Sequence, residues 1–217
     1  MNHAHAAVAP GSSAPDHVPD TARHPLRLYI FDEGGVLIRR HMIIAEVAAV
    51  LGLTHDELRR LLPPDIGLLA RGVIDSAEFW RRFSARTGIV PAENYLETLF
   101  KPARDEPTFE LVRALARRAR VVCGTNTIDC HHIINERLGM YEPFHAVYAS
   151  HLMHVAKPDP AFWQFILRAE GVRPEEAFFT DDSPENVEAA SRLGIHAWLY
   201  TDAESLARFL RQSGAPI

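Results

Sequence analysis

The strongest constraint on the fold is a short apolar segment, residues 26–31, that ends at a carboxylate followed by two glycines. From Phe31 to Leu37 the chain runs FDEGGVL. An apolar run of four to eight residues with a turn behind it is typical of a buried strand. In open parallel sheets, ligands bind beyond the carboxyl ends of the strands. We therefore predict that Asp32 lies at that edge of a sheet.

The rest of the chain repeats this pattern. Further strands are predicted at residues 120–124, 146–149, 177–180 and 197–200, and amphipathic helical segments lie between them. Alternation of strands and helices is typical of a parallel sheet with helices on both faces. The predicted fold class is α/β, with a doubly wound parallel sheet.

The segment between the first two strands is different, because residues 42–100 contain four helical patterns and no strand pattern. We expect an inserted helical subdomain at residues 39–105, and a Rossmann-like core made of residues 25–38 and 106–217. Residues 1–24 are rich in Ala, Pro, His and Ser and lack periodicity, which is typical of a disordered tail. A chain of 217 residues accommodates one domain with such an insertion.

Composition excludes several classes of protein. A formal net charge of −5 and a pI near 6.2 leave no electrostatic footprint for nucleic acid or an anionic membrane. There is no apolar run of about 18 residues and no signal-peptide pattern. The two cysteines, Cys123 and Cys130, fit neither a disulfide framework nor a zinc site. These observations favour a cytoplasmic protein.

Polar side chains recur at or soon after the predicted strand ends, and a doubly wound sheet brings such positions to one edge. They are Asp32, Thr125-Asn126, Lys157 and Asp181-Asp182. Three carboxylates that converge repel each other unless a cation lies among them, and hard oxygen ligands suit Mg²⁺. A lysine and a hydroxyl beside them would face an anion. Together they describe a phosphoryl-transfer site.

In order and spacing, these segments resemble the four motifs of the haloacid dehalogenase superfamily, on its phosphatase side. They are FDEGGVL at 31–37, VCGTN at 122–126, KPDP at 157–160 and FTDDSPEN at 179–186. The helical insertion resembles the type 1 cap of that superfamily. Each motif alone is weak, but the ordered set is specific.

The resemblance implies a role for each matching residue. Asp32 would attack phosphorus to form an aspartyl-phosphate. Mg²⁺ would be held by Asp32, by the backbone carbonyl of Gly34 and by Asp182, while Asp181 would hold the metal or its water. The transferring phosphoryl group would bind to Thr125, Asn126 and Lys157.

One position departs from the family pattern. Two residues after the nucleophile the family usually has a second aspartate, the general acid and base, and this chain has Gly34. Such proton transfer is typically worth about 10²–10⁴-fold in rate. Glu33 is adjacent, but successive residues of a strand point to opposite faces. A second departure is His154, where many relatives have glycine.

These residues are compatible with three functions. The leading hypothesis is a Mg²⁺-dependent phosphatase that acts on a small phosphorylated metabolite. The alternative, motivated by Gly34, is a phosphate- and Mg²⁺-binding regulatory module with little or no turnover. The third is a metal-independent dehalogenase, against which the Asp181-Asp182 pair argues. Neither the substrate nor the choice between monomer and homodimer follows from the sequence.

Overall fold

The computed structural model describes residues 25–217, so the predicted tail at residues 1–24 lies outside the described residues. The strands are β1 (Leu28–Phe31), β2 (Ile38–Arg39), β3 (Ala103–Arg104), β4 (Arg120–Thr125), β5 (Ala146–Ala149), β6 (Ala177–Asp181) and β7 (His196–Leu199). The helices are α1 (Ile44–Val50), α2 (His55–Leu61), α3 (Asp65–Ala70), α4 (Ser76–Thr87), α5 (Tyr95–Thr98), α6 (Glu106–Ala116), α7 (Asp129–Arg137), α8 (Ser150–Met153), α9 (Pro160–Glu170), α10 (Pro184–Arg192) and α11 (Ala203–Gln212). Among the described residues, no helix is long and apolar enough to cross a bilayer.

The main sheet has five strands in the order β5-β4-β1-β6-β7, and all neighbouring pairs are parallel. The chain thus builds outward from β1 in one direction with β4 and β5, and in the other with β6 and β7. The predicted doubly wound α/β fold is confirmed, and every strand of this sheet was predicted to within a few residues.

Strand β1 lies at the centre of the sheet, and both of its faces are buried. Tyr29 and Phe31 point into the larger hydrophobic cluster, whereas Leu28 and Ile30 belong to a second cluster on the opposite face. This alternation follows from the two-residue period of a strand. A strand buried on both sides requires helices on both faces of the sheet.

Two of the inserted helices, α2 and α4, begin with a side-chain cap. At the start of α2, the Thr54 hydroxyl accepts a hydrogen bond from the Glu57 amide, and the Glu57 carboxylate accepts one from the Thr54 amide. At the start of α4, the Asp75 carboxylate accepts from the Glu78 amide. Such caps satisfy backbone donors that have no partner inside the helix.

The two ends of the insertion are joined by a short antiparallel pair, β2 and β3. The Arg39 guanidinium adds an ion pair to Asp105 at 2.7 Å. Between these ends lie five helices, where four were predicted. The additional helix is α3, for which Pro64 serves as the N-cap. The division of the chain into core, cap and tail stays a prediction.

Candidate active site

The sheet register explains how distant parts of the chain meet. Phe31 pairs with Cys123 of β4 on one side and with Thr180 of β6 on the other. The residues that follow these three positions therefore leave the sheet at the same edge. The structure brings Asp32 to this edge between the end of β4 and the end of β6.

Three carboxylates converge there, as predicted. Asp32, Asp181 and Asp182 each offer an oxygen atom, and these atoms all lie within 4.8 Å of one another. Asp32 and Asp181 are buried, whereas Asp182 is exposed. Carboxylate oxygens with access to water on one side fit the needs of Mg²⁺. The donor set present therefore suits the predicted metal.

The Lys157 ammonium group lies within the cluster. Its Nζ atom is 2.6 Å from Asp32 Oδ1 and 2.7 Å from Asp181 Oδ2, and it donates a third hydrogen bond to the Gly124 carbonyl at 2.9 Å. Burial raises the pKa of Asp32 to about 7; the positive charge of Lys157 opposes this shift, and the Asp181 charge adds to it. Burial opposes charge on Lys157 as well, but the two carboxylates raise its pKa.

Asp181 is fixed by further donors at the start of α10. Its carboxylate accepts hydrogen bonds from the Ser183 amide at 2.8 Å and from the Asn186 side chain at 3.0 Å. A carboxylate that accepts several hydrogen bonds is held in one orientation, and it is well satisfied at a helix N-terminus. The structure therefore presents Asp181 as a rigid part of the site.

Asn126 holds the segment that carries Lys157. Its side-chain nitrogen donates to the Lys157 carbonyl at 2.9 Å, and its side-chain oxygen accepts from the Lys157 amide at the same distance. This reciprocal pair fixes the backbone at Lys157 to the end of β4. The side chain of Asn126 is thus engaged with protein, and its predicted phosphate contact stays a prediction.

Thr125 and the neighbouring Glu33 form a buried polar group next to Asp32. The Thr125 hydroxyl donates to Glu33 at 3.2 Å, and Asn135 of α7 donates to the other Glu33 oxygen at 2.8 Å. Burial raises the pKa of Glu33 to about 7, and the Asp32 charge contributes to that shift. Glu33 is thus held by β4 and α7, where it orients Thr125.

The two glycines of the first motif have different neighbours. A Cβ atom on Gly35, which has a φ of 78°, would collide with the Asp182 carboxylate. A Cβ atom on Gly34 would meet the His41 ring, with Cδ2 at 3.0 Å. Gly35 is therefore required for the close approach of Asp182, whereas above Gly34 an imidazole fills the space. Burial lowers the pKa of His41, and the Asp182 charge opposes that shift.

His154 has a φ of 60° and ends helix α8. Its Nδ1 atom is 2.9 Å from the Arg71 carbonyl. Next to it, the Ser150 hydroxyl donates to the Ala70 carbonyl at 2.6 Å. His154 therefore takes part in the contact between α8 and the loop after α3.

A pocket of about 310 Å³ opens beside the nucleophile strand, between the sheet edge and the inserted helices. Its polar rim includes Glu33, His41, Thr125 and Asn135. Its other polar lining residues are Asn126, Thr127 and His131, and its apolar side chains are Ile38, Met42, Ile43, Ile44, Ile66, Leu96, Phe100 and Ile128. Within residues 25–217, no lysine or arginine lines this pocket.

Sequence reasoning missed two residues of the site. His41 lies between the first motif and α1, nine residues after Asp32. It belongs to none of the four motifs, so no sequence pattern marked it. Asn186 is the last residue of the fourth motif but was assigned no role. Its side-chain nitrogen donates to both oxygens of the Asp181 carboxylate.

Two proteins of known activity are similar in sequence to most of this chain. Flavin mononucleotide hydrolase 1 of Arabidopsis thaliana is 26% identical over 212 residues, covering 94% of this chain and 83% of that protein. A sesquiterpene phosphatase of Aspergillus oryzae is 25% identical over 189 residues, covering 84% of this chain and 94% of that protein.

Solved structures show the same fold. A haloacid dehalogenase family enzyme of Bacteroides thetaiotaomicron superposes with a TM-score of 0.74 at 22% identity, covering 86% of this chain and 99% of that one. Another structure of that enzyme, in complex with magnesium and inorganic phosphate, superposes with a TM-score of 0.69 at 23% identity, covering 81% and 94%. The sequence model of the haloacid dehalogenase-like hydrolases matches residues 26–194. The chain therefore belongs to the haloacid dehalogenase-like hydrolase family.

Proposed function

We propose that the protein is a Mg²⁺-dependent phosphatase that hydrolyses a small phosphomonoester through an aspartyl-phosphate on Asp32. The observation that carries the proposal is the convergence of Asp32, Lys157, Asp181 and Asp182 at one edge of the sheet. A nucleophilic carboxylate beside a cation-binding pair and an ammonium group matches the needs of phosphoryl transfer, in which positioning and charge neutralisation supply most of the catalysis.

Each side chain has a defined task in this proposal. Asp32 attacks phosphorus, and Lys157 contacts both the nucleophile and the phosphoryl oxygens. Asp32, the Gly34 carbonyl and Asp182 would hold Mg²⁺, and Asp181 would hold the metal or its water. When bound, Mg²⁺ supplies positive charge that lets the phosphoryl group approach the carboxylates.

The pocket beside the site favours an organic group that is largely apolar and uncharged. Half of its lining residues are Ile, Leu, Met or Phe, and among the described residues no lysine or arginine lines it to bind a second phosphate or a carboxylate. Apolar walls with few polar groups are usual in small-molecule sites. The two relatives named above, one a flavin mononucleotide hydrolase and one a sesquiterpene phosphatase, are consistent with organic groups of this kind.

The test is turnover of a panel of phosphomonoesters with Mg²⁺, comparing the wild-type protein with Asp32→Asn. We expect hydrolysis that needs Mg²⁺, ceases with excess EDTA and is lost in the variant. Phosphate release at the same rate from both proteins would contradict the proposal. Full activity in EDTA would instead support chemistry without a metal.

Gly34 supports a second candidate, a binding module without turnover. In that case the protein would take up Mg²⁺ with BeF₃⁻ at Asp32 as a stable complex and would release no phosphate from any substrate. Fluorine NMR of the complex, combined with the turnover panel, separates the two functions.

A further inference from the structure

The space above Gly34 is filled by the His41 ring. A Cβ atom on Gly34 would lie 3.0 Å from His41 Cδ2 and 3.4 Å from its Nε2 atom. Gly34 does not have a positive φ, so its backbone is compatible with a side chain. The ring, and not backbone strain, is what stands in the place that a side chain at position 34 would take.

Ester cleavage creates a need for a hydrogen-bond donor near the nucleophile. When a phosphate ester is cleaved, negative charge develops on the leaving oxygen, and a donor aimed at that oxygen accelerates the reaction. Most of the neighbouring donors already have partners. Lys157 is bonded to two carboxylates, and Asn135 and Thr125 are bonded to Glu33.

His41 is different from these groups. The edge of its ring that carries Cδ2 and Nε2 faces Gly34, whereas its Nδ1 atom is buried. The ring also lines the pocket that adjoins Gly34 and the nucleophile strand. An imidazole carries one N–H donor when neutral. His41 thus presents the Nε2 edge of its ring between the site and the pocket.

We propose that His41 donates a hydrogen bond to the leaving-group oxygen, a role that rests on the proposed phosphatase function. As Asp32 bonds to phosphorus, the ester P–O bond breaks and its electron pair stays on the leaving oxygen. The imidazole N–H stabilises that charge and keeps its own proton. A water molecule protonates the oxygen to give the alcohol, and the resulting hydroxide cleaves the aspartyl-phosphate to phosphate and free Asp32.

The test compares His41→Ala and His41→Gln on two substrates, hexyl phosphate and p-nitrophenyl phosphate. For hexyl phosphate we expect kcat of His41→Ala to fall about 10²-fold, the loss typical of one such donor. The loss should be far smaller for p-nitrophenyl phosphate, whose leaving oxygen needs little stabilisation. His41→Gln keeps a neutral N–H donor and should retain most of the activity on both substrates.

The matched control is His55→Ala, which removes a half-exposed histidine on α2, away from the site; its kinetics should equal those of the wild type. Equal losses of His41→Ala on both substrates, or a His41→Gln variant as impaired as His41→Ala, would overturn the assignment. A wild-type protein that hydrolyses neither substrate would contradict the phosphatase function itself, so the two failures are distinguishable.

Discussion

The two consecutive glycines in the turn after Asp32 serve different purposes. Gly34 leaves space for an imidazole, whereas Gly35 leaves space for the Asp182 carboxylate. Gly35 also adopts a φ of 78°, which L-residues with a side chain rarely occupy. A side chain at position 34 would therefore displace His41, and one at position 35 would displace Asp182.

Replacing Gly35 by Ala should displace Asp182 and weaken Mg²⁺ binding. We expect the Mg²⁺ concentration needed for half-maximal activity to rise at least about tenfold, as expected for loss of one ligand-orienting contact. The control is Gly88→Ala, which has the same backbone strain at a φ of 75° but no atom within 4 Å of the new Cβ. If the two variants respond to Mg²⁺ alike, backbone strain and not the Asp182 contact explains the effect.

Replacing Lys157 by Met should destabilise the protein as well as inactivate it. Asp32 and Asp181 would lose the ammonium group between them, and removing one partner of a buried ion pair typically costs about 3–5 kcal/mol. Urea denaturation without Mg²⁺ measures the change. The only other lysine of the chain, Lys101, is exposed, and Lys101→Met serves as the control. An unfolding free energy of Lys157→Met equal to that of the wild type would refute the prediction.

For individual residues, the sequence predicted that the three carboxylates and Lys157 lie at one edge of the sheet, because the strand ends of a parallel sheet share that edge. It could not predict which donors hold them. The pairing of Asn126 with the Lys157 backbone and of Glu33 with Asn135 depends on side-chain distances across the fold. Neither contact leaves a spacing pattern in the chain.

At the scale of elements, strands with continuous apolar runs were easy to recognise, and short irregular elements were not. Strands β2 and β3 have two residues each and pair across a long insertion. Helix α3 begins directly after two prolines, which favoured a break. These elements depend on tertiary contacts more than on local propensity, so no periodic pattern marks them.

Helix α7 is linked to α5 through His131. Its Nε2 atom is 2.8 Å from the Leu96 carbonyl, and its ring stacks on Phe100 with centroids 3.7 Å apart. Burial lowers the pKa of His131 to about 4, while the Leu96 hydrogen bond and the Asp129 charge oppose that shift. The ring is therefore neutral near pH 7 and joins α7 to the segment that carries Leu96 and Phe100.

Acid should weaken this link. Because the pKa of His131 is lower in the folded protein, protonation favours unfolding; its contribution to stability is complete above about pH 6.5 and declines as the pH falls towards 4. At the lower end the loss reaches at most about 3 kcal/mol. Urea titrations between these pH values should show a shallower decline for His131→Gln, while His55→Gln follows the wild type. Parallel slopes for wild type and His131→Gln would contradict this.

At the scale of the whole molecule, the carboxylate cluster couples metal binding to stability. A ligand that binds only the folded protein stabilises it, by about 2.7 kcal/mol at a concentration of 100 times Kd. We expect Mg²⁺ to raise the Tm of the wild type in calorimetry and to have little effect on Asp182→Asn. Glu188→Gln, a change at an exposed carboxylate on α10, should keep the full response. A Tm unaffected by Mg²⁺ in the wild type would argue against the metal site.

The pairing of β2 with β3 has a consequence for how such a chain can vary. Since Ile38 lies opposite Arg104, the backbone leaves the core and returns to it at adjacent points. The segment between Ile38 and Arg104 is therefore a closed loop. The entropic cost of closing a loop grows only with the logarithm of its length. A change in the length of this segment therefore costs little closure entropy. The order of the strands that brings the carboxylates together does not depend on it.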